Sequence, residues 1–385
     1  MFTRRDFSLV AGASTLALAG CATGATGDPS RPLDAQEGSV LQDAMADKAV
    51  PGMAAIVIRD FRVETEYFAG VRALGLPAMI APNDRWHLGS DGKAMTATLI
   101  AKLVDAGALS WERPLAEMLP DLASTMQPAY RDVTLPDLLS HRSGLPENTA
   151  DMEFFFSFHT DTAPKPAQRL RYIARCLQDA PIGPARGESS YSNTGFLVAA
   201  ACAERAAGRA FEDLIVARVF DPLGMHSISF DQFGAANEPQ GHVDGRIANQ
   251  QNDVNPRMFA PAGAMRMTLR DWSRFCIDQM QGEHGRGRLL HTDTYRFIHA
   301  PQGETRTALG WGAALHPMNL RGPALTHSGS DGNWFALVCL FPETGNGVLV
   351  TANAAESMGG DQASVAALRA FAATVAAPFE ESSSG

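Results

Sequence analysis

Trp86-His87-Leu88-Gly89-Ser90-Asp91-Gly92-Lys93-Ala94-Met95 runs directly into an apolar, Ala-rich segment. The stretch reads as a strand end or turn followed by the first turn of a helix. Leu99, Ile100, Leu103 and Val104 recur at helical spacing, and Gly107 is a natural stop. Ser90 and Lys93, three residues apart, project from one face of that helix. A serine hydroxyl is a poor nucleophile until a base takes its proton, and a lysine amine with a pKa lowered by burial or a second cation can do so. Helix N-terminal amides also favour negative charge developing beside them. Taken alone, Ser-x-x-Lys is a weak pattern, and an N-cap serine with an exposed lysine is the reading it favours.

Upstream, Pro51-Gly52 opens an apolar run from Met53 to Ile58, a turn at Arg59-Asp60-Phe61 and alternation from Arg62 to Tyr67. That is a hairpin with one wet face. At the start of the chain, Thr3-Arg4-Arg5-Asp6-Phe7 precedes an apolar run from Leu9 to Gly20, too short to span a bilayer. The twin arginines resemble a twin-arginine export signal, with Ser8 and Leu9 departing from its usual pattern. Leu18-Ala19-Gly20-Cys21 resembles a lipobox, which implies lipidation at Cys21. Residues 1–21 therefore read as an export signal with a lipobox and 22–35 as a linker. A periplasm-facing lipoprotein, touching the membrane only through a lipid anchor at Cys21, is the expectation.

The chain has 385 residues, 45% of them apolar, enough for a large core. A formal charge of −10 with no basic stripe argues against nucleic acid. Cys176, Cys202, Cys276 and Cys339 are scattered through apolar contexts and read as buried free thiols. The histidines show no metal-ligand spacing, and nothing in the chain calls for a metal or a cofactor.

Residues from about 107 to 300 are mostly helical by periodicity, cut by Pro- and Gly-rich loops. Leu135 to His141 leads into the tight turn Arg142-Ser143-Gly144-Leu145-Pro146, and Phe154-Phe155-Phe156-Ser157-Phe158 follows in a loop or short helix. Tyr191-Ser192-Asn193 precedes an Ala-rich helix from about Phe196 to Ala207 that stops at Gly208; Asn193 is placed to cap it. Asp271 to Phe275 starts another amphipathic helix. After residue 300 the chain turns to β: Ala308 to Gly312 and Leu325 to Ser330 read as strands, and Trp334 to Phe341 is a nearly continuous apolar strand. Pro342 to Gly347 then turns the chain into Val348 to Thr351, and a helix from about Gln362 to Val375 covers the sheet. Strands at both ends with helices between imply a discontinuous α/β domain with a helical domain inserted.

Three pieces stand in chain order: Ser90-x-x-Lys93, Tyr191-Ser192-Asn193 and His327-Ser328-Gly329. Together they resemble the motifs of the serine β-lactamase and penicillin-binding-protein superfamily. Tyr-x-Asn in second place is similar to class C β-lactamases, related D-alanyl-D-alanine peptidases and family VIII carboxylesterases. Leu138 to Pro146, Asp221-Pro222-Leu223-Gly224-Met225 and Pro261-Ala262-Gly263 support the likeness, which covers about residues 40–375. It implies a β-lactamase-like fold over 36–385. An antiparallel sheet flanked by helices would form from about 36–105 and 300–385, with an all-α part at about 106–299.

The same resemblance assigns roles. Ser90 would be the nucleophile that forms an acyl-enzyme, with Lys93 and Tyr191 together as base; which of the two is the formal base stays open. To serve as a phenolate, Tyr191 needs an ammonium beside it, and Lys93 is the obvious source. The amides of Ser90 and Ser330 would form the oxyanion hole. Asn193 would hydrogen-bond substrate or Lys93; His327, Ser328 and Gly329 would bind substrate, and Trp311 borders the site or packs in the core. The Phe154–Phe158 cluster lines an acyl pocket or packs internally.

The superfamily's usual third-motif lysine is replaced by His327, which is mostly neutral at pH 7 and holds a carboxylate less firmly. That favours neutral esters over penicillins or peptide C-termini. The expected function is therefore carboxylic-ester hydrolysis on a small-molecule substrate. A class C-like β-lactamase or D-alanyl-D-alanine carboxypeptidase, and a penicillin-binding sensor that does not turn over, are the alternatives. Gly-Ser-Asp-Gly occurs twice, at 89–92 and 329–332, but only the first copy carries a lysine one turn later. The chain has no complete Gly-x-Ser-x-Gly elbow, which disfavours an α/β-hydrolase.

Overall fold

In the computed structural model, which describes residues 39–231, 234–235, 237–249 and 253–380, the apolar run after Pro51 becomes strand β1 (Gly52–Arg59). A two-residue turn, with Asp60 and Phe61 both at positive φ, joins it to β2 (Arg62–Gly70). This conformation matches the right-handed twist of a hairpin. The remaining strands are β3 (Arg85–His87), β4 (His242–Val243), β5 (Arg246–Ile247), β6 (Arg266–Thr268), β7 (Gly312–Ala314), β8 (Ala324–Ser330), β9 (Phe335–Phe341) and β10 (Asn346–Ala352). The export signal, Cys21 and the linker at 22–35 lie outside the described residues.

The main sheet is antiparallel with order β2-β1-β10-β9-β8-β7, so strands from the two ends of the chain meet where β1 pairs with β10. The continuous apolar character of β1 and β9 has a simple cause: both faces are covered. Ala54, Ile56 and Ile58 of β1, with Ala336, Val338 and Leu340 of β9, face one core together with the helical middle of the chain. Met53, Ala55 and Val57, with Leu337, Cys339 and Phe341, face a second core closed by helices Val40–Met45 and Gly360–Val375. The period of two along each strand divides residues between two buried layers rather than between core and water.

Between β2 and β7 the chain is mainly helical, including Gly92–Asp105, Leu135–Leu139, Lys165–Cys176, Asn193–Ala207 and Leu269–Glu283. Helix Lys165–Cys176 is tied to Asn193–Ala207 through Arg169, which is fully buried and ion-paired with both Glu204 and Glu212. Removing one partner from such a group leaves an uncompensated buried charge.

Two local expectations change, and one left open is settled. Residues 266–268 lie in the stretch read as helical, yet they form β6, which pairs with β3 and sets His87 opposite Arg266. Three buried residues are too few to show a period. Residues Ala308 to Trp311 are not strand: Ala308 N–H donates to Trp311 O and Gly310 N–H to Leu139 O, and the strand starts only at Gly312. The four phenylalanines lie on or beside a short helix, Met152–Ser157, where Phe155 and Phe158 are buried against Tyr172.

Candidate active site

Ser90 sits in a single tight turn, Gly89–Asp91, that leads without a break into helix Gly92–Asp105. The helix is buried along nearly its whole length, including Lys93, which is 0% exposed. A lysine inside protein has few ways to keep its charge. Burial draws the Lys93 pKa from 10.5 down to about 7, even though the carboxylates of Glu147 and Asp91 act to raise it.

The contacts of Lys93 Nζ fit that ionisation. Nζ lies 2.9 Å from Ser90 Oγ and 2.7 Å from Asn193 Oδ1, and it also donates to Ala262 O. As an ammonium it donates to all three. As a neutral amine it has two N–H groups for the two carbonyl acceptors and one lone pair for the serine hydroxyl. Tyr191 completes the network by donating its O–H to Ser90 Oγ at 2.6 Å.

Burial pushes the Tyr191 phenol well above its usual pKa, outweighing the lowering effect of its bond to Ser90, and the nearby Glu147 and Asp91 push it further up. This weighs against a phenolate sustained by Lys93. The amine that was to supply the field is itself half-neutral near pH 7, so Tyr191 keeps its proton and acts as a donor. The buried Asp91 carboxyl is itself shifted: desolvation raises its pKa well above the usual carboxylate value, against the pull of Lys93.

The second motif is positioned by the stretch Leu138 to Asn148. Ser190 N–H donates to His141 O, Ser192 N–H to His141 Nδ1 at 3.0 Å, and Ser192 Oγ–H to Pro146 O at 2.8 Å. The His141 ring stacks on Tyr191 with centroids 4.5 Å apart. Burial above all lowers the pKa of this imidazole well below its usual value. The helix cap is Ser192, whose Oγ accepts Gly195 N–H, and not Asn193 as its sequence position suggested. Relieved of capping, the Asn193 amide gives its oxygen to Lys93 and donates Nδ2–H to Asn148 Oδ1 at 3.2 Å. Sequence reading missed His141, Glu147 and Asn148 as site residues; the only signal was their place in and just after a supporting stretch.

The third motif lies on an open edge. β7 pairs with β8 only from Ala324 to Thr326, so residues 327–330 have β9 on one side and the Ser90 turn on the other. The approach is possible because both sides carry glycine. A Cβ on Gly329 would lie 2.8 Å from Ser90 N, and one on Gly89, which has φ +50°, would strike Ser330 N. The amides of Ser90 and Ser330 thus border the same contact, where the resemblance places an oxyanion hole. His327 is half-buried on this edge, with Nδ1 3.0 Å from Ser328 O. Burial and the nearby Lys93 charge draw its pKa down to about 3, so it presents a neutral ring. Ser328 is exposed beside it.

Trp311 follows Gly310, which packs against the Lys93 backbone. It is 2% exposed and packs against Phe275 and His299, which is the core alternative for this residue. Cys176, Cys202, Cys276 and Cys339 are all buried free thiols.

The Beta-lactamase family model matches residues 39–373, most of the chain, and with it all three motif segments. The chain belongs to the β-lactamase family. Its coarse function is that of a hydrolase in the serine β-lactamase and penicillin-binding-protein superfamily. Among curated relatives, penicillin-binding protein 4 of Amycolatopsis lactamdurans is 27% identical over 310 residues, 77% of this chain and 79% of that one. Unguisins hydrolase ungD of Aspergillus violaceofuscus is 25% identical over 361 residues, 84% of this chain but 62% of that longer protein. The fold is shared with an octameric penicillin-binding protein homologue from Pyrococcus abyssi, at TM-score 0.72 and 22% identity over 88% of this chain and 76% of that one. It is shared also with SurE, solved with D-Leu, at TM-score 0.69 and 22% identity over 90% and 78% of the two chains.

Proposed function

We propose that this β-lactamase-family protein is a carboxylesterase, similar to the family VIII enzymes, that hydrolyses neutral small-molecule esters through an acyl-enzyme on Ser90. The observation that carries this reading is the pair of contacts on Ser90 Oγ: Lys93 Nζ at 2.9 Å, neutral above about pH 7, and Tyr191 O–H at 2.6 Å. In acylation, Lys93 takes the Ser90 proton as Oγ attacks the ester carbonyl. The oxyanion that forms faces the amides of Ser90 and Ser330, each such donor being worth roughly 3 kcal/mol. Collapse breaks the ester bond, and the departing alkoxide takes a proton from the Tyr191–Lys93 network. Water then gives its proton to that network as it attacks the acyl carbon, and Ser90 leaves with a proton returned from it.

The neutral His327 supports an ester over a substrate that must dock a carboxylate. The likeness to penicillin-binding protein 4 favours a second reading, a class C-like β-lactamase or D-alanyl-D-alanine carboxypeptidase. A penicillin-binding sensor is the reading of another class. A panel of p-nitrophenyl acyl esters, nitrocefin and a D-alanyl-D-alanine peptide, run on wild type and Ser90→Ala, separates them. Ester turnover lost in Ser90→Ala is expected. Undiminished turnover in that variant would overturn the serine mechanism, nitrocefin or peptide turnover without ester turnover would overturn the ester preference, and a stable mass adduct without turnover would indicate the sensor.

We also propose export by the twin-arginine route and lipid anchoring at Cys21, on the signal and lipobox alone. Cys21→Ala should move the protein from the membrane to the soluble fraction. Unchanged membrane association would contradict the anchor.

A further inference from the structure

The repeated Gly-Ser-Asp-Gly segments, at 89–92 and 329–332, are packed against each other across the Gly89–Gly329 contact. A single imidazole links them. His87 ends β3 and is 1% exposed. Its Nδ1 accepts the N–H of Gly89, the residue before the nucleophile, at 3.1 Å. An accepting Nδ1 carries no proton, so the ring proton sits on Nε2. Nε2 lies 3.5 Å from Asp331 Oδ2, a close polar contact without a hydrogen bond, with both side chains fully shielded from solvent. Asp331 follows Ser330 directly, and its Oδ1 accepts Asn333 N–H at 3.2 Å. One side of the strut therefore holds the residue before Ser90 and the other the residue after Ser330.

A buried carboxylate–imidazole contact is a poor device for stability, because desolvating the carboxylate offsets the attraction. It is a good device for fixing geometry. The two residues it joins flank the two amides that border the catalytic contact, and no other side chain of the nucleophile turn reaches across to the loop after β8 in the same way among the hydrogen bonds and ion pairs described. We propose that His87 and Asp331 are positioning residues that set the separation of the Ser90 and Ser330 amides, and so the fit of the oxyanion hole. This rests on the acyl-enzyme reading of Ser90.

The test uses Asp331→Asn, which keeps shape and the Oδ1 acceptor, and His87→Asn, which keeps an acceptor for Gly89 N–H but cannot reach residue 331. Ester kcat and KM are measured together with the affinity of phenylboronic acid, whose boron bonds to Ser90 Oγ as the hydroxyl proton leaves, giving a tetrahedral anion. Each variant should lose about tenfold or more in kcat with KM within about twofold, a fraction of what a displaced donor costs. Boronate affinity should fall in the same proportion, the inflection of the pH profile near 7 should stay in place, and the double variant should be little worse than the weaker single. Wild-type kcat in a folded variant, or a kcat loss with boronate affinity unchanged, overturns the proposal. If Asp331→Asn does not fold, His87→Gln is measured by the same criteria. The boronate arm needs no ester turnover, so it remains decisive if the substrate assignment fails. Absence of any boronate adduct on wild-type Ser90 would instead reject the nucleophile reading itself.

Discussion

A lysine with a pKa near 7 inside the protein predicts two pH dependences with one origin. If neutral Lys93 is the base, about one-tenth of the enzyme is competent at pH 6 and about nine-tenths at pH 8, so kcat/KM rises about tenfold between them. Stability follows the same group. In the unfolded chain Lys93 ionises near 10.5, so at pH 7 to 10 the unfolded state binds more protons and stability rises with pH. Working the two pKa values through the linkage relation gives a gain of about 2 kcal/mol from pH 7 to pH 9, and almost none below pH 6. Lys93→Met removes the titration, so urea unfolding of wild type and variant at pH 6, 7 and 9 isolates its share. Wild type should gain about 2 kcal/mol on Lys93→Met between pH 7 and 9. The variant should be inactive throughout. Parallel stability curves, or an activity profile flat from pH 6 to 8, would refute a neutral buried amine.

Other outcomes follow from the same geometry. Tyr191→Phe keeps the ring stacked on His141 but removes the bond to Ser90, so kcat should fall about 10²- to 10⁴-fold while the inflection near pH 7 remains; an inflection that vanishes would make Tyr191 the titrating base. Glu147 raises the Lys93 pKa through its charge, so Glu147→Gln should move the activity inflection to lower pH, and a profile that stays put or moves up would contradict that field. Gly329→Ala places a methyl against Leu88 O and 2.8 Å from Ser90 N, and should abolish turnover while circular dichroism shows the fold retained or weakened; a fully active variant would show that the two segments are not held in contact.

Much of this protein was legible in its residues. The hairpin over Gly52–Gly70, the helix after Ser90, strands β8 to β10 and the C-terminal helix follow local periodicity, and local periodicity is what a sequence displays. Where reading failed, the deciding contact was distant or the element too short. Asn193 looked like a cap until Ser192 took that place, and Trp311, readable as a site or a core residue, packs on Phe275. β6 has only three residues and exists because β3 pairs with it.

By itself the sequence determined the order of the three motifs and the placement of Ser90 and Lys93 one helical turn apart, since an i, i+3 relation is fixed by backbone geometry. The tertiary structure decided the surroundings of that pair. Lys93 meets Asn193 a hundred residues on, and its pKa of about 7 comes from burial that no local pattern records. The same burial keeps the Tyr191 proton in place and His327 neutral, because a charge is costly wherever water has been removed.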